Sequence, residues 1–131
     1  MASRPLALGL TICQDVVINP DTGNATVVEV FGGISVEEFP GTPSPFRVFA
    51  ALTECDGVTE FVITVDASDP SSPEVYRGRF RAVDPLTVVN LSYQLTRCVF
   101  PGPDLYTFTL WSGGEMIAQR SLRVYLRGEG P

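Results

Sequence analysis

Phe100-Pro101-Gly102-Pro103-Asp104-Leu105-Tyr106-Thr107-Phe108-Thr109-Leu110-Trp111-Ser112-Gly113-Gly114-Glu115-Met116 constrains the architecture of this chain more than any other segment. Its Pro-Gly-Pro-Asp opening cannot continue a regular element, because proline lacks the amide hydrogen and glycine eases a turn. Tyr106, Phe108 and Leu110 then alternate with Thr107, Thr109 and Trp111. This period of two puts one set on a buried sheet face and the other on the opposite face. Ser112-Gly113-Gly114-Glu115 predicts a tight hairpin, and Met116 to Leu126 forms the returning strand. Ile117 and Leu122 are out of phase by one residue, which predicts a bulge near Gln119 or Arg120.

The same pattern recurs upstream. Val89, Leu91, Tyr93 and Leu95 alternate with polar residues after Asp84-Pro85. Tyr76, Phe80 and Ala82 share a face opposite Arg77, Arg79 and Arg81. Phe61, Ile63 and Val65 form another inward set, and Phe46, Val48, Ala50 and Leu52 a further one. Pro40-Gly41-Thr42-Pro43-Ser44-Pro45 cannot pair in a ladder and predicts a loop that crosses between two sheets or around an edge. Nearer the start, a run from Leu6 to Ile18 turns at Asn19-Pro20-Asp21-Thr22-Gly23-Asn24 and returns over Ala25 to Phe31, a first hairpin. Gly32-Gly33 marks a bend or bulge before Ile34 to Phe39 carries on. Valine (16), isoleucine (5) and threonine (11) outweigh alanine (8) and favour pleated structure over helix. The expectation is an all-β, antiparallel two-sheet sandwich of about seven to nine strands, in one domain over residues 1–131 with its core at about 6–126 and flexible ends at 1–5 and 127–131.

The segment from Phe100 to Val124 resembles the last hairpin of immunoglobulin-like domains, where Pro-Gly-x-Tyr-x-Phe precedes a glycine turn and a final strand. That resemblance implies a tyrosine corner, with the Tyr106 ring in the core and its hydroxyl bonded to backbone near the preceding turn. Phe108 stands where an immunoglobulin carries cysteine, so the resemblance does not extend to that family's disulfide. Leu10-Thr11-Ile12-Cys13, the Asp21-Thr22-Gly23 turn, Phe39-Pro40, Asp84-Pro85-Leu86 and the Phe100 to Tyr106 corner together resemble a bacterial family of short β-sandwich proteins of unknown function. This implies an architecture and no activity, ligand or catalytic residue.

The composition removes whole classes of chemistry. Zero histidines exclude Ser-His and Cys-His nucleophile pairs and imidazole metal ligands. All nine basic residues are arginine, so Schiff-base chemistry and a phosphate-loop lysine are excluded too. The absence of lysine reads either as a GC-rich genome or as selection against amine-directed modification. A net charge of −6 repels duplex nucleic acid and anionic lipid, so neither nucleic acid nor membrane is an expected partner. The apolar run at the start is too short for a membrane span and lacks a cleavage site, which suggests a cytoplasmic protein. Asn24-Ala25-Thr26 and Asn90-Leu91-Ser92 are then chance matches to the glycosylation pattern. Cys13, Cys55 and Cys98 contain no CxxC pair, and read as free buried thiols or as one disulfide linking Cys98 to Cys13 or Cys55.

Five residues stand out as partner-binding candidates. Arg77, Arg79 and Arg81 form a basic stripe in an acidic protein. Cross-strand pairing with Glu60, Thr64 and Asp66 accounts for it without a ligand, and recognition of an acidic partner is the alternative. Trp111 and Phe49 are aromatics on nominally outward faces, either covered by a loop or exposed to a partner. Glu54, Asp56, Glu60, Asp66 and Asp69 place carboxylates at turns, but without the repeat a calcium loop needs. No catalytic, metal-binding or cofactor residue is expected, and no cofactor. The functional expectation is a non-enzymatic protein-interaction module that binds another protein or itself. The alternatives are a structural subunit that self-assembles into a homo-oligomer through sheet faces or edges, and a carbohydrate- or calcium-dependent ligand-binding module.

Overall fold

The computed structural model describes residues 6, 7, 9–55, 57–67, 74–82, 84, 86 and 88–129, the side chains of Leu6 and Glu74 excepted. The ends expected to be flexible at residues 1–5 and 130–131 lie outside these. The described residues form ten strands: β1 (Leu6–Ala7), β2 (Thr11–Ile18), β3 (Ala25–Val30), β4 (Ile34–Val36), β5 (Phe46–Thr53), β6 (Gly57–Asp66), β7 (Glu74–Ala82), β8 (Val89–Leu95), β9 (Asp104–Ser112) and β10 (Glu115–Leu126). In the first sheet β5 is central: β8 pairs with it on one side, β1 and then β2 on the other, and β3 pairs with β2. The second sheet runs β4-β10-β9-β6-β7.

The two layers close on one core because the alternation holds. β5 reads buried, half-buried, buried throughout, with Phe46, Val48, Ala50 and Leu52 inside. Phe61, Ile63 and Val65 from β6 and Tyr106, Phe108 and Leu110 from β9 oppose them across the sandwich. Phe46 meets Phe108 edge-on at 6.1 Å, tying the sheets together. The tyrosine corner is formed as the resemblance implies: Tyr106 donates its hydroxyl to the Gly102 carbonyl at 2.8 Å, and its ring stacks edge-on with Phe100 at 4.7 Å.

Four features differ from the sequence expectation. The pairing is antiparallel except between β4 and β10, which run parallel. The chain leaves the first sheet at Gly32-Gly33, so Ile34–Val36 lies beside the final strand in the other sheet rather than extending β3. A Cβ on Gly33 would approach the Tyr125 ring within 3.0 Å, which explains the glycine at this crossing. The loop at Pro40–Pro45 then carries the chain back to the first sheet, as its prolines predict.

The bulge in β10 falls at Ile117, between Met116 and Ala118, earlier than Gln119 or Arg120. Gly113 and Gly114, both at positive φ, fix Glu115 opposite Ser112 and Met116 opposite Trp111. Ala118, Arg120, Leu122 and Val124 can face the core only if one residue is looped out directly after the turn. The early run also breaks, at Gly9 with φ 124: β1 and β2 address β5 in registers one residue apart. At the other end the Arg127 amide donates to the Val36 carbonyl at 2.9 Å. Among the described residues there is no helix, and so none long and apolar enough to cross a membrane.

Candidate functional site

The second sheet turns its outer face to solvent with a continuous cross-strand row. Register places Met116 opposite Trp111, Trp111 opposite Val62, and Val62 opposite Arg77. Trp111 and Arg77 are thus two strand spacings apart, about 10 Å. The next row is Gln119, Thr109, Thr64 and Val75. The indole Nε1 of Trp111 donates to Thr64 Oγ1 at 2.9 Å, which holds the ring against the sheet while it stays half-buried. Thr109, only 2% exposed although on an outer face, accepts from Gln119 Nε2 at 3.1 Å.

These rows shape an open groove of about 400 Å³ lined by Glu60, Val62, Thr64, Arg77, Trp111 and the Ser112–Gly114 turn. Ser112 Oγ donates to the Glu60 carbonyl at 3.0 Å and fixes that turn as one wall. Met116 (53% exposed), Val58 (54%) and Val75 (44%) extend the apolar surface around it. A half-buried tryptophan, aliphatic neighbours and a guanidinium are the mixture that anchors protein interfaces.

Arg77, Arg79 and Arg81 all stand exposed on β7. Glu60 is the register partner of Arg79, as the cross-strand reading requires, but no ion pair joins them. Among the described residues the ion pairs are Arg47–Asp15 and Arg127–Glu37, and the stripe takes part in neither. Thr64 faces Val75 rather than an arginine.

Phe49 belongs elsewhere, on the outer face of the first sheet between Thr11 and Ser92. Arg47 Nε meets Asp15 Oδ1 at 3.2 Å on one side of it, and Asn90 Nδ2 donates to the Gly23 carbonyl at 2.9 Å on the other. Both tethers hold the β2–β3 hairpin, which bends at Glu29, where φ is 51. The hairpin is thus tied to β5 and β8 on either side of the row that carries Phe49, whose ring is half-buried. Of the five candidate residues, the structure therefore brings Trp111 and Arg77 into one groove, sets Arg79 and Arg81 beside it, and separates Phe49. Val62, Thr64 and Met116 complete the surface; their only signal in the sequence is outward phase.

A protein-family model matches residues 8–125. The chain belongs to the family of unknown function DUF6941. This DUF6941 chain is also similar to the crystal structure of an immunoglobulin-like protein from Pseudomonas aeruginosa, with 12% identity and a TM-score of 0.48 over 94% of this chain and 98% of that one. No curated protein matches it.

The three thiols of the DUF6941 chain are buried and in the reduced form, so neither disulfide alternative is present. Burial pushes the Cys13 thiol above its ordinary 9.0, and the nearby Asp15 carboxylate pushes it further. Burial alone raises Cys55. A thiol kept protonated is a poor nucleophile. Among the described residues no three acidic or cysteine side chains converge as a metal site would require. Asp56 and Asp69, named with the turn carboxylates, lie outside those residues.

Proposed function

We propose that this DUF6941 protein is a non-enzymatic interaction module that presents the outer face of its second sheet to another protein. One observation carries the reading: Trp111 and Arg77 line a single open groove beside two further arginines that no described residue neutralises. Desolvating a guanidinium without a partner is costly, so a free arginine on an apolar rim favours a ligand that brings its own carboxylates. Three cysteines without a disulfide support a reducing, cytoplasmic setting.

A photo-crosslinking residue at Val62, on the groove floor, tests this in the native cell. The expected result is an adduct that forms with one protein and falls about tenfold with Trp111→Ala or Arg77→Gln, as for an interface anchor. The same probe at Ala51, on the outer face of the first sheet, serves as control. Equal adducts from both positions, unaffected by either substitution, overturn the reading. An adduct only to a second copy of the chain, with a dimer in solution, moves the role to self-assembly.

A further inference from the structure

We propose that β7 is a receptor edge for an extended acidic peptide strand, which extends the second sheet by backbone pairing and sets alternate carboxylates against Arg77, Arg79 and Arg81. This rests on the reading of the protein as an interaction module and names the chemistry of its partner.

The edge itself supplies the first observation. β7 pairs with β6 in an unbroken register from Gly57↔Ala82 to Val65↔Glu74 and has no second neighbour among the described residues. In an antiparallel strand every second residue turns its amide and carbonyl away from the neighbour it already has. Nine residues of straight edge therefore offer a row of open backbone donors and acceptors. Even Gly78 preserves the line: it sits opposite Phe61, and a Cβ there would come within 2.4 Å of the Phe61 ring. The glycine lets the ring cover the strand without pushing it out of plane.

The other free edges differ from β7. β4 covers only Val124–Leu126 of β10, and the remainder of β10 carries the Ile117 bulge and the inward-facing Arg120 beside Phe108. A bulge and an inward charge are devices that stop a strand from pairing. β3 bends at Glu29, and β8, Val89–Leu95, has no charged side chain. β7 has no bulge against β6, and its three arginines stand on the outer face, beside the pairing direction rather than across it.

Charge then selects the occupant. Cross-strand neighbours on one face of an extended sheet come within about 5 Å. A second copy pairing β7 on β7 in the antiparallel sense keeps outer face with outer face, so every such register that overlaps the stripe sets arginine against or diagonal to arginine. Like charges so placed oppose pairing. A strand with carboxylates at alternate positions reverses the sign of each contact, and those positions coincide with the stripe at about 7 Å intervals. The stripe thus rejects a copy of itself and admits an acidic strand.

The test uses the full chain and a synthetic peptide in which glutamate alternates with valine or threonine over eight residues, titrated by fluorescence anisotropy with amide chemical shifts as second readout. Three results are expected: saturable binding weakened by salt; shifts concentrated on residues 74–82; and a loss of at least about tenfold when Arg77→Gln, Arg79→Gln and Arg81→Gln are combined. A peptide N-methylated at alternate residues along one edge, and a second methylated along the other edge, separate backbone pairing from simple charge attraction: one of the two must lose binding. Equal binding by both methylated peptides, shifts centred on Trp111 instead of β7, or no binding of the parent peptide each overturns the proposal. If the peptide fails while the Val62 adduct still depends on Trp111 and Arg77, the edge inference falls and the interaction module stands. If that adduct is also lost as a specific signal, both fall.

Discussion

The outer faces of the two sheets are built from the same materials and do opposite things with them. Each carries an arginine two strand positions or fewer from an aromatic: Arg47 with Phe49 on the first sheet, Arg77 with Trp111 on the second. On the first, Arg47 Nε reaches Asp15 at 3.2 Å and its NH1 donates to Ser92 Oγ at 3.1 Å, and a hairpin is tethered on either side of the half-buried Phe49. On the second, the arginine has no ion-pair partner among the described residues, and the indole lines an open groove. Whether a surface aromatic is structure or anchor is thus decided by whether the chain itself supplies its cover.

The most disruptive way to break this contrast is Gly78→Val. The added branched side chain collides with the Phe61 ring, which packs edge-on to Tyr93 at 5.8 Å and must move if β7 keeps its place. Overpacking of this kind costs about 2–3 kcal/mol. Urea unfolding should show that loss, together with faster amide exchange over Glu74–Ala82 and unchanged exchange in the β2–β3 hairpin.

Phe49→Ala comes next. A fully buried phenylalanine costs about 3–5 kcal/mol on truncation, and a half-buried one should cost roughly half of that. The hairpin should also loosen, seen as faster amide exchange over Val16–Val28. Trp111→Phe keeps an aromatic ring but loses the pyrrole half of the indole and with it the Nε1 bond to Thr64, so about 0.5–1.5 kcal/mol is expected in the same unfolding assay. A Phe49→Ala variant no less stable than Trp111→Phe would mean that the hairpin gives no real cover.

Much of this fold was legible because period-two alternation is a local signal. The inward sets of β5, β6 and β9 were read residue by residue, and the Tyr106 corner came from a turn and a ring in one short segment. What stayed hidden was set by partners distant in sequence. The bulge was misplaced because Arg120, a charged residue, occupies an inward position opposite Phe108, so hydrophobicity misreports the phase of β10. The parallel β4–β10 pair and the crossing at Gly32-Gly33 depend on which sheet accepts Ile34–Val36, and three residues carry too little pattern to say. The candidate site divides the same way. Outward phase marked Trp111, Phe49 and the stripe, but that Trp111 and Arg77 share a groove follows from β9 and β7 both flanking β6. That Phe49 does not share it follows from β5 lying in the other sheet, a placement set by pairing partners distant in sequence.

Alkaline pH probes the shared core beneath both faces. Burial raises the pKa of Tyr106 above its ordinary 10.0, and those of Cys13 and Cys55 above 9.0. In each case the folded state holds the proton more tightly than the unfolded chain. As pH rises past the unfolded value the unfolded chain ionises first, so the stability these groups contribute is complete below about pH 8 and is lost as pH climbs through their raised folded values. Unfolding free energy should be flat from neutrality to about pH 8 and fall beyond about pH 9, with a shallower fall in Cys13→Ala. A fall beginning near neutrality would contradict the burial of these groups.

The smallest effects are the most informative about the contrast between the faces. Arg47→Gln removes a partly buried ion pair and a hydrogen bond to Ser92, and should cost about 0.5–1 kcal/mol, less at high salt. Arg77→Gln removes a guanidinium with no ion-pair or hydrogen-bond partner among the described residues and should change stability by no more than about 0.5 kcal/mol, like other substitutions at exposed sites. Chemically identical substitutions on opposite faces thus separate an arginine the fold uses from one it leaves available. A double-mutant cycle of Arg47→Gln with Asp15→Asn should show coupling, and one of Arg77→Gln with Glu60→Gln none, measured as differences in unfolding midpoint at constant slope. Coupling between Arg77 and Glu60 as large as that between Arg47 and Asp15 would make the stripe part of the fold, and its arginines would then be no more available than the one beneath the hairpin.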